Sequence, residues 1–173
     1  MSGDPNPYGL GLERNVQRLS PHNPLWARAY AEEVARLRPA LDGVALGVEH
    51  YGSTAVPGLD AKPIIDIQVG VARLEQAMDL VGPMTALGYD NVGSAGIADH
   101  HIFGLGIARA HLVHIVAFEG DQWRRTLRFR DRLRAEPELR AAYQRLKREL
   151  AETCSTRAEY TEGKSAFVVA AST

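Results

Sequence analysis

Cysteine is nearly absent from this chain. The single Cys154 excludes an internal disulfide and any zinc site built on several thiolates. No stretch of 18 apolar residues occurs, so nothing reads as a membrane-spanning helix. The start, MSGDPNPYGLGLERN, lacks the basic stretch and apolar core of a secretory signal, and a cytoplasmic location is the expectation. Neither sign of charge dominates: the net charge is −1 and the pI about 6.6, which removes any global pull toward nucleic acid or membrane. Internal repeats and low-complexity tracts are also missing.

What remains is an ordinary globular composition, 45% hydrophobic and 24% charged, over 173 residues. That length suits one domain. Residues 1–15, rich in turn formers, are expected to be a flexible tail, and 16–173 the domain. Charge is unevenly distributed. Asp121 to Leu150 carries ten Arg/Lys against five Asp/Glu, so the remainder is acidic. Such a basic helical segment either receives an anion or forms a solvated face.

Periodicity predicts a helix from about Pro24 to Leu37, with Trp26, Tyr30, Val34 and Leu37 on one face. VALGVEHYG alternates as a strand ending at Gly52. Residues 64–71 form an apolar strand. A helix follows, broken or kinked at Pro83. YDNVGSAG, ADHHIFGLGI and AHLVHIVAF read as strands, the last a core strand. From Gln122 the pattern turns helical, with Pro137 starting a new helix and a final helix from about Arg157 to Ala170. The expected class is α/β (α+β), a sheet flanked by helices with a helical C-terminal half.

One stretch concentrates chemistry: HYGSTAVPGLDAKPIIDIQVGV, His50 to Val71. Asp66 interrupts an Ile/Val strand, which is expensive unless the carboxylate is paired or bound to a cation. Fourteen residues earlier, Gly52 permits close backbone approach to a phosphate, and Ser53 and Thr54 offer hydroxyl and turn donors. A carboxylate on the next strand could hold Mg²⁺ against the same phosphates.

This layout resembles the nucleotidyltransferase superfamily, whose Gly-Ser turn precedes an Asp-x-Asp/Glu strand. The second carboxylate is replaced here by Gln68, a neutral oxygen ligand that weakens a two-metal arrangement. The full stretch, with LSPHNPLWARAYAEEVARL, AHLVHIVAF, WRRTLRFRDRLRAEPELRAAYQRLKRELA and YTEGKSAFV, closely resembles the GrpB family over about residues 16–169. The resemblance implies a nucleotidyltransferase-like mixed sheet. It also implies relatives fused behind dephospho-coenzyme A kinase, and a reaction that the family itself leaves open.

The remaining candidates each have a structural alternative. His50 could contact phosphate or metal, or pack at a strand end; Glu49 would face the other way. Lys62 could neutralise phosphate, or pair with Asp60. His111 and His114, three apart, face opposite sides of a regular strand, so only a bulge would make both ligands. DHH at 99–101 is a weak metal signal and reads as an edge-strand or loop cluster. Arg130 and Arg134 share a helical face with Arg128 nearby, and could grip phosphates or pair with neighbouring acids. In the resemblance, Lys164 returns toward the site.

The leading expectation is an Mg²⁺-dependent enzyme that moves a nucleotidyl group from a nucleoside triphosphate to a small acceptor. Its catalytic groups would be Asp66, His114 and Lys62. The phosphates would meet His50, Gly52, Ser53, Thr54, Lys62, Arg130 and Lys164, and the metal Asp66 and Gln68. The alternatives are a nucleotide- or phosphometabolite-binding module without chemistry, or an interaction domain. Nucleic acid is disfavoured because no aromatics interleave with the basic residues.

Overall fold

The computed structural model describes residues 6–13, 16 and 18–172. Five strands form one mixed sheet in the order β1-β2-β5-β4-β3. The strands are β1 (Ala45–Tyr51), β2 (Ile65–Val71), β3 (Tyr89–Gly93), β4 (His101–Leu105) and β5 (His111–Ala117). Only β2 and β5 run parallel; the other pairs are antiparallel. The interior strand β2 is covered on both faces, which explains its nearly unbroken apolar sequence.

One face packs on α1 (Trp26–Leu41). Ile65, Ile67, Val69, Val71, Val113 and Ile115 meet Trp26, Ala29, Leu37 and Leu41 in the main core. The Asn23 side chain accepts the Leu25 amide at 2.9 Å at the entrance to this helix. The helix runs four residues beyond its expected end and carries Pro39 in its last turn. After β2, the chain makes a short 3₁₀ turn, Leu74–Met78, before α2 (Val81–Ala86). Pro83 sits in the first turn of α2, where a missing N–H does no harm, so no long kinked helix forms.

The opposite face carries α3 (Asp121–Ala135), α4 (Pro137–Thr153) and α5 (Arg157–Ala171). Gly47 and Gly70 are register partners, and a Cβ on either would lie 2.7 Å from the Phe118 ring. Their bareness lets the Phe118 and Trp123 rings pack closely against the sheet, which seats α3. Pro137 opens α4 as expected, and Thr156 with Glu159 forms a reciprocal capping box on α5. A second cluster, Val56, Leu59, Leu133 and Tyr143, clamps the 52–63 loop beneath α4.

Residues 6–13, expected to be part of a flexible tail, are tied to the sheet. Leu12 is buried and exchanges backbone hydrogen bonds with Arg109, and the Gly11 amide donates to the Pro63 carbonyl at 3.0 Å. Residues 1–5, 14, 15 and 17 lie outside the described residues. Among the described residues, no helix is long and apolar enough to cross a membrane.

Candidate functional site

The Gly-Ser turn and Asp66 are built against each other. Tyr51 is the register partner of Asp66, so the turn that follows β1 closes directly over the carboxylate. Gly52 has φ 72° and ψ −173°, a backbone region open essentially to glycine alone. A Cβ there would stand 2.7 Å from Asp66 Oδ2. Two independent constraints therefore demand glycine at this position. Asp66 is tolerated in its strand because it opens into a cavity of about 150 Å³.

Three lysines line that cavity, with Ser53, Thr54, Asp66 and Tyr160. Lys62 comes from the loop before β2. Lys164 comes from α5. Their ammonium groups lie 4.0 Å and 4.4 Å from the Tyr160 ring centroid, within cation–π range. The third, Lys147 of α4, did not emerge from the sequence. It is 1% exposed, donates to Ser53 Oγ at 3.1 Å and to the Asp60 carbonyl, and lies over the Tyr143 ring. Burial, aided by the neighbouring Lys164 charge, pushes its pKa down to about 7. These are the chain's only three lysines, against seventeen arginines. That bias was the available signal for Lys147.

At the cavity floor, Asp66 joins a line of imidazoles. His114 Nε2 is 3.3 Å from Asp66 Oδ1, and His114 Nδ1 is 2.6 Å from His100 Nε2. His100 is buried, its pKa lowered to about 4 by burial first and then by His114, so it is neutral at pH 7. DHH at 99–101 thus contributes its middle residue to the site. Leu112 and Thr161 also line a second cavity, of about 860 Å³, which includes His114, Arg109 and Glu162. The lysine cavity and this larger one are neighbours along the same cleft.

Other expected site residues go elsewhere. Gln68 is a correction: it is fully buried, its Nε2 donating to the Trp123 carbonyl at 3.3 Å and its Oε1 accepting from Thr126 at 2.6 Å. Helix α3 covers this position, two residues along the strand from Asp66, and consumes the amide that was to bind metal. His50 is a second correction. It pairs in register with Ile67 and stacks on Tyr30 of α1 at 4.7 Å, which puts it on the opposite face from Asp66. It reaches the site only through Thr54, whose Oγ1 is 3.0 Å from His50 Nε2. Burial lowers its pKa to about 4. Glu49, not His50, shares the Asp66 face.

Arg130 is the third correction. Its guanidinium donates to Glu49 at 2.7 Å, the His50 carbonyl at 2.8 Å and Asp131 at 2.8 Å. It fastens α3 to β1 instead of meeting phosphate. Arg134 donates to the Ala55 carbonyl at 2.9 Å and Arg128 to the Ser172 carbonyl at 3.2 Å. His111, opposite Ile65 in register, lies near Glu33 and away from the lysines. Much of the excess positive charge of α3 and α4 is used in stitching these elements together.

The donor set can be tested against Mg²⁺, which takes oxygen ligands, usually one or two carboxylates with substrate phosphates. Asp66 supplies one carboxylate. No group of three His, Cys, Asp or Glu poised for a metal occurs among the described residues. The residues fit one Mg²⁺ delivered with phosphates and do not fit a two-metal pair.

The sequence matches the family described as GrpB protein over residues 17–173. The chain belongs to the GrpB family. It is similar to the glutamate-rich protein GrpB of Alkalihalophilus pseudofirmus, 31% identical over 166 residues, covering 92% of this chain and 95% of the relative. It is also similar to a crystal structure of GrpB from Enterococcus faecalis, 35% identical, with a TM-score of 0.81 over 90% of this chain and 94% of that one. An 81-residue stretch is 43% identical to part of the dephospho-CoA kinase of Mycolicibacterium paratuberculosis, covering 45% of this chain and 20% of that protein. The GrpB likeness establishes the mixed α+β fold with its C-terminal helices, consistent with a place in the nucleotidyltransferase-like superfamily.

Proposed function

We propose that this GrpB chain binds a nucleoside triphosphate through its phosphates and transfers a nucleotidyl group to a small acceptor. The observation that carries this reading is the Gly52–Ser53 turn seated on Asp66 inside a ring of three lysines. Lys62 and Lys164 offset phosphate charge, while Ser53 and Thr54 offer hydroxyls. Lys147 holds Ser53 in place. Asp66 would hold a single Mg²⁺, which when bound neutralises phosphate oxygens and makes the α-phosphorus more electrophilic. The nucleoside would extend into the larger adjoining cavity, since about 150 Å³ is small for a whole nucleotide. His114, whose two ring nitrogens meet Asp66 and His100, would take the acceptor's proton by giving up one of those two contacts.

A second reading is binding without transfer. The sequestered Gln68 favours it, because the fold's second metal carboxylate has become a packing residue.

Calorimetric titration of the four ribonucleoside triphosphates, with and without Mg²⁺, tests both. On this reading Asp66→Asn has opposite effects in the two conditions. Without Mg²⁺ it removes a carboxylate that repels phosphate, so affinity rises. With Mg²⁺ it removes the metal anchor, so affinity falls. If no triphosphate binds in either condition, the nucleotide reading is wrong. If binding occurs without pyrophosphate release toward any hydroxyl, amine or carboxylate acceptor, the second reading stands.

A further inference from the structure

Lysine is used in this chain only where the pocket is. Seventeen arginines provide positive charge elsewhere, yet all three lysines line one cavity. An arginine would hold a phosphate at least as well, through its planar fork. What arginine lacks is an amine that can lose its proton and act as a nucleophile. Of the three amines, Lys147 is the one buried to 1% exposure, facing the cavity from within α4.

Its surroundings suit a nucleophile. Ser53 Oγ and the Asp60 carbonyl can accept the two N–H groups of a neutral amine, and the residue itself lines the cavity. Desolvation and a neighbouring cation are the two routes by which proteins activate lysine, and both operate here. Lys62 and Lys164 line the same cavity, where an anionic group on the same small molecule would meet them. A cavity of about 150 Å³ favours a short carbon chain.

We propose that Lys147 forms an imine with the carbonyl of a small phosphorylated aldehyde or ketone held by Lys62 and Lys164. The Nζ lone pair adds to the carbonyl carbon and the C=O π electrons move onto oxygen, giving a carbinolamine. Loss of water then leaves a C=N bond, the oxygen departing with both amine protons, with the Ser53 hydroxyl placed to pass them. No oxidant, reductant or further reactant is needed. The step does not depend on nucleotide transfer, so each can fail alone.

The test is to incubate the whole protein with glycolaldehyde phosphate and cyanoborohydride, then map adducts by peptide mass. Lys147 is expected to be the dominant adduct, about tenfold over Lys62, Lys164 and the amino terminus. Unphosphorylated glycolaldehyde should label it about tenfold less, a difference of about 1.4 kcal/mol in phosphate recognition. Inorganic tripolyphosphate should protect it, and Lys147→Arg should lose the adduct while keeping a positive charge. Adducts concentrated on Lys62, Lys164 or the terminus overturn the proposal, as does absence of any adduct or equal labelling by the unphosphorylated aldehyde. Because the wild-type map decides the question, an unfolded variant does not rescue it.

Discussion

Lys147 and Gly52 are the two residues whose replacement should be felt most sharply. The pKa of Lys147 is lowered to about 7 in the folded protein from an ordinary 10.5. Between these values the unfolded chain binds the proton that the folded chain releases, so stability rises with pH across that window. Below about pH 7 both states carry the ammonium, and folding bears the full penalty of burying it. The groups around Nζ that shape this are Lys164, Arg148 and the Asp60 carboxylate. Denaturant unfolding between pH 6 and 10 should show this rise, and Lys147→Met should flatten it. A wild-type curve with no rise through the window would remove the charge assignment. At Gly52, alanine meets both a glycine-only backbone and the Asp66 carboxylate. The backbone alone costs about 1–3 kcal/mol. Chemical denaturation of Gly52→Ala should show at least that loss, together with weaker phosphate binding.

At the scale of elements, α3 decides what the neighbouring strands can do. It lies across β1 and β2, takes the Gln68 amide into its own backbone and side chain, and locks itself to Glu49 and the His50 carbonyl through Arg130. Restoring the superfamily's acid with Gln68→Glu should therefore fail to create a second metal site. The new carboxylate would be buried against the Trp123 carbonyl, where Gln68 now donates, and should destabilise the fold by about 1–3 kcal/mol or more. Unfolding free energy and Mn²⁺ titration of the variant check this; a gain of a second bound ion would show that α3 yields. Arg130→Ala should likewise loosen α3, by about 1–3 kcal/mol given that Glu49 is part-exposed. Triphosphate affinity should change far less than for Lys62→Ala.

For the whole molecule, the pocket is assembled from distant parts of the chain. The turn after β1, the loop before β2, and helices α4 and α5 each contribute a wall. A ligand that bridges them should stabilise the folded state as a unit. Tripolyphosphate at 100 times its dissociation constant should add about 2.7 kcal/mol to unfolding. For a chain of this size that raises the melting temperature by roughly 5–11 °C. At a fixed tripolyphosphate concentration the gain should shrink as salt rises, because the holding charges are ammonium groups. Thermal scans at low and high ionic strength measure both effects, and a salt-independent shift would point to another binding mode.

The local elements were legible in the residue order because they depend on nearby chemistry. Alternation and apolar runs marked the strands, Pro137 marked the start of α4, and the Gly-Ser turn with Asp66 marked the candidate site. Those features need only neighbours along the chain, and the GrpB resemblance rested on the same stretch. What the order could not reveal was which face each side chain would take and what would cover it. His50 fell on the far face through strand register, Gln68 was consumed by a helix more than fifty residues away, and Arg130, on that helix, was consumed by Glu49 and the His50 carbonyl of β1. Lys147 and His100 entered through packing of a helix and a loop onto the sheet. Placement across a sheet and burial under a helix are decided by long-range contacts, which is why the chemistry of this pocket belongs to the tertiary structure.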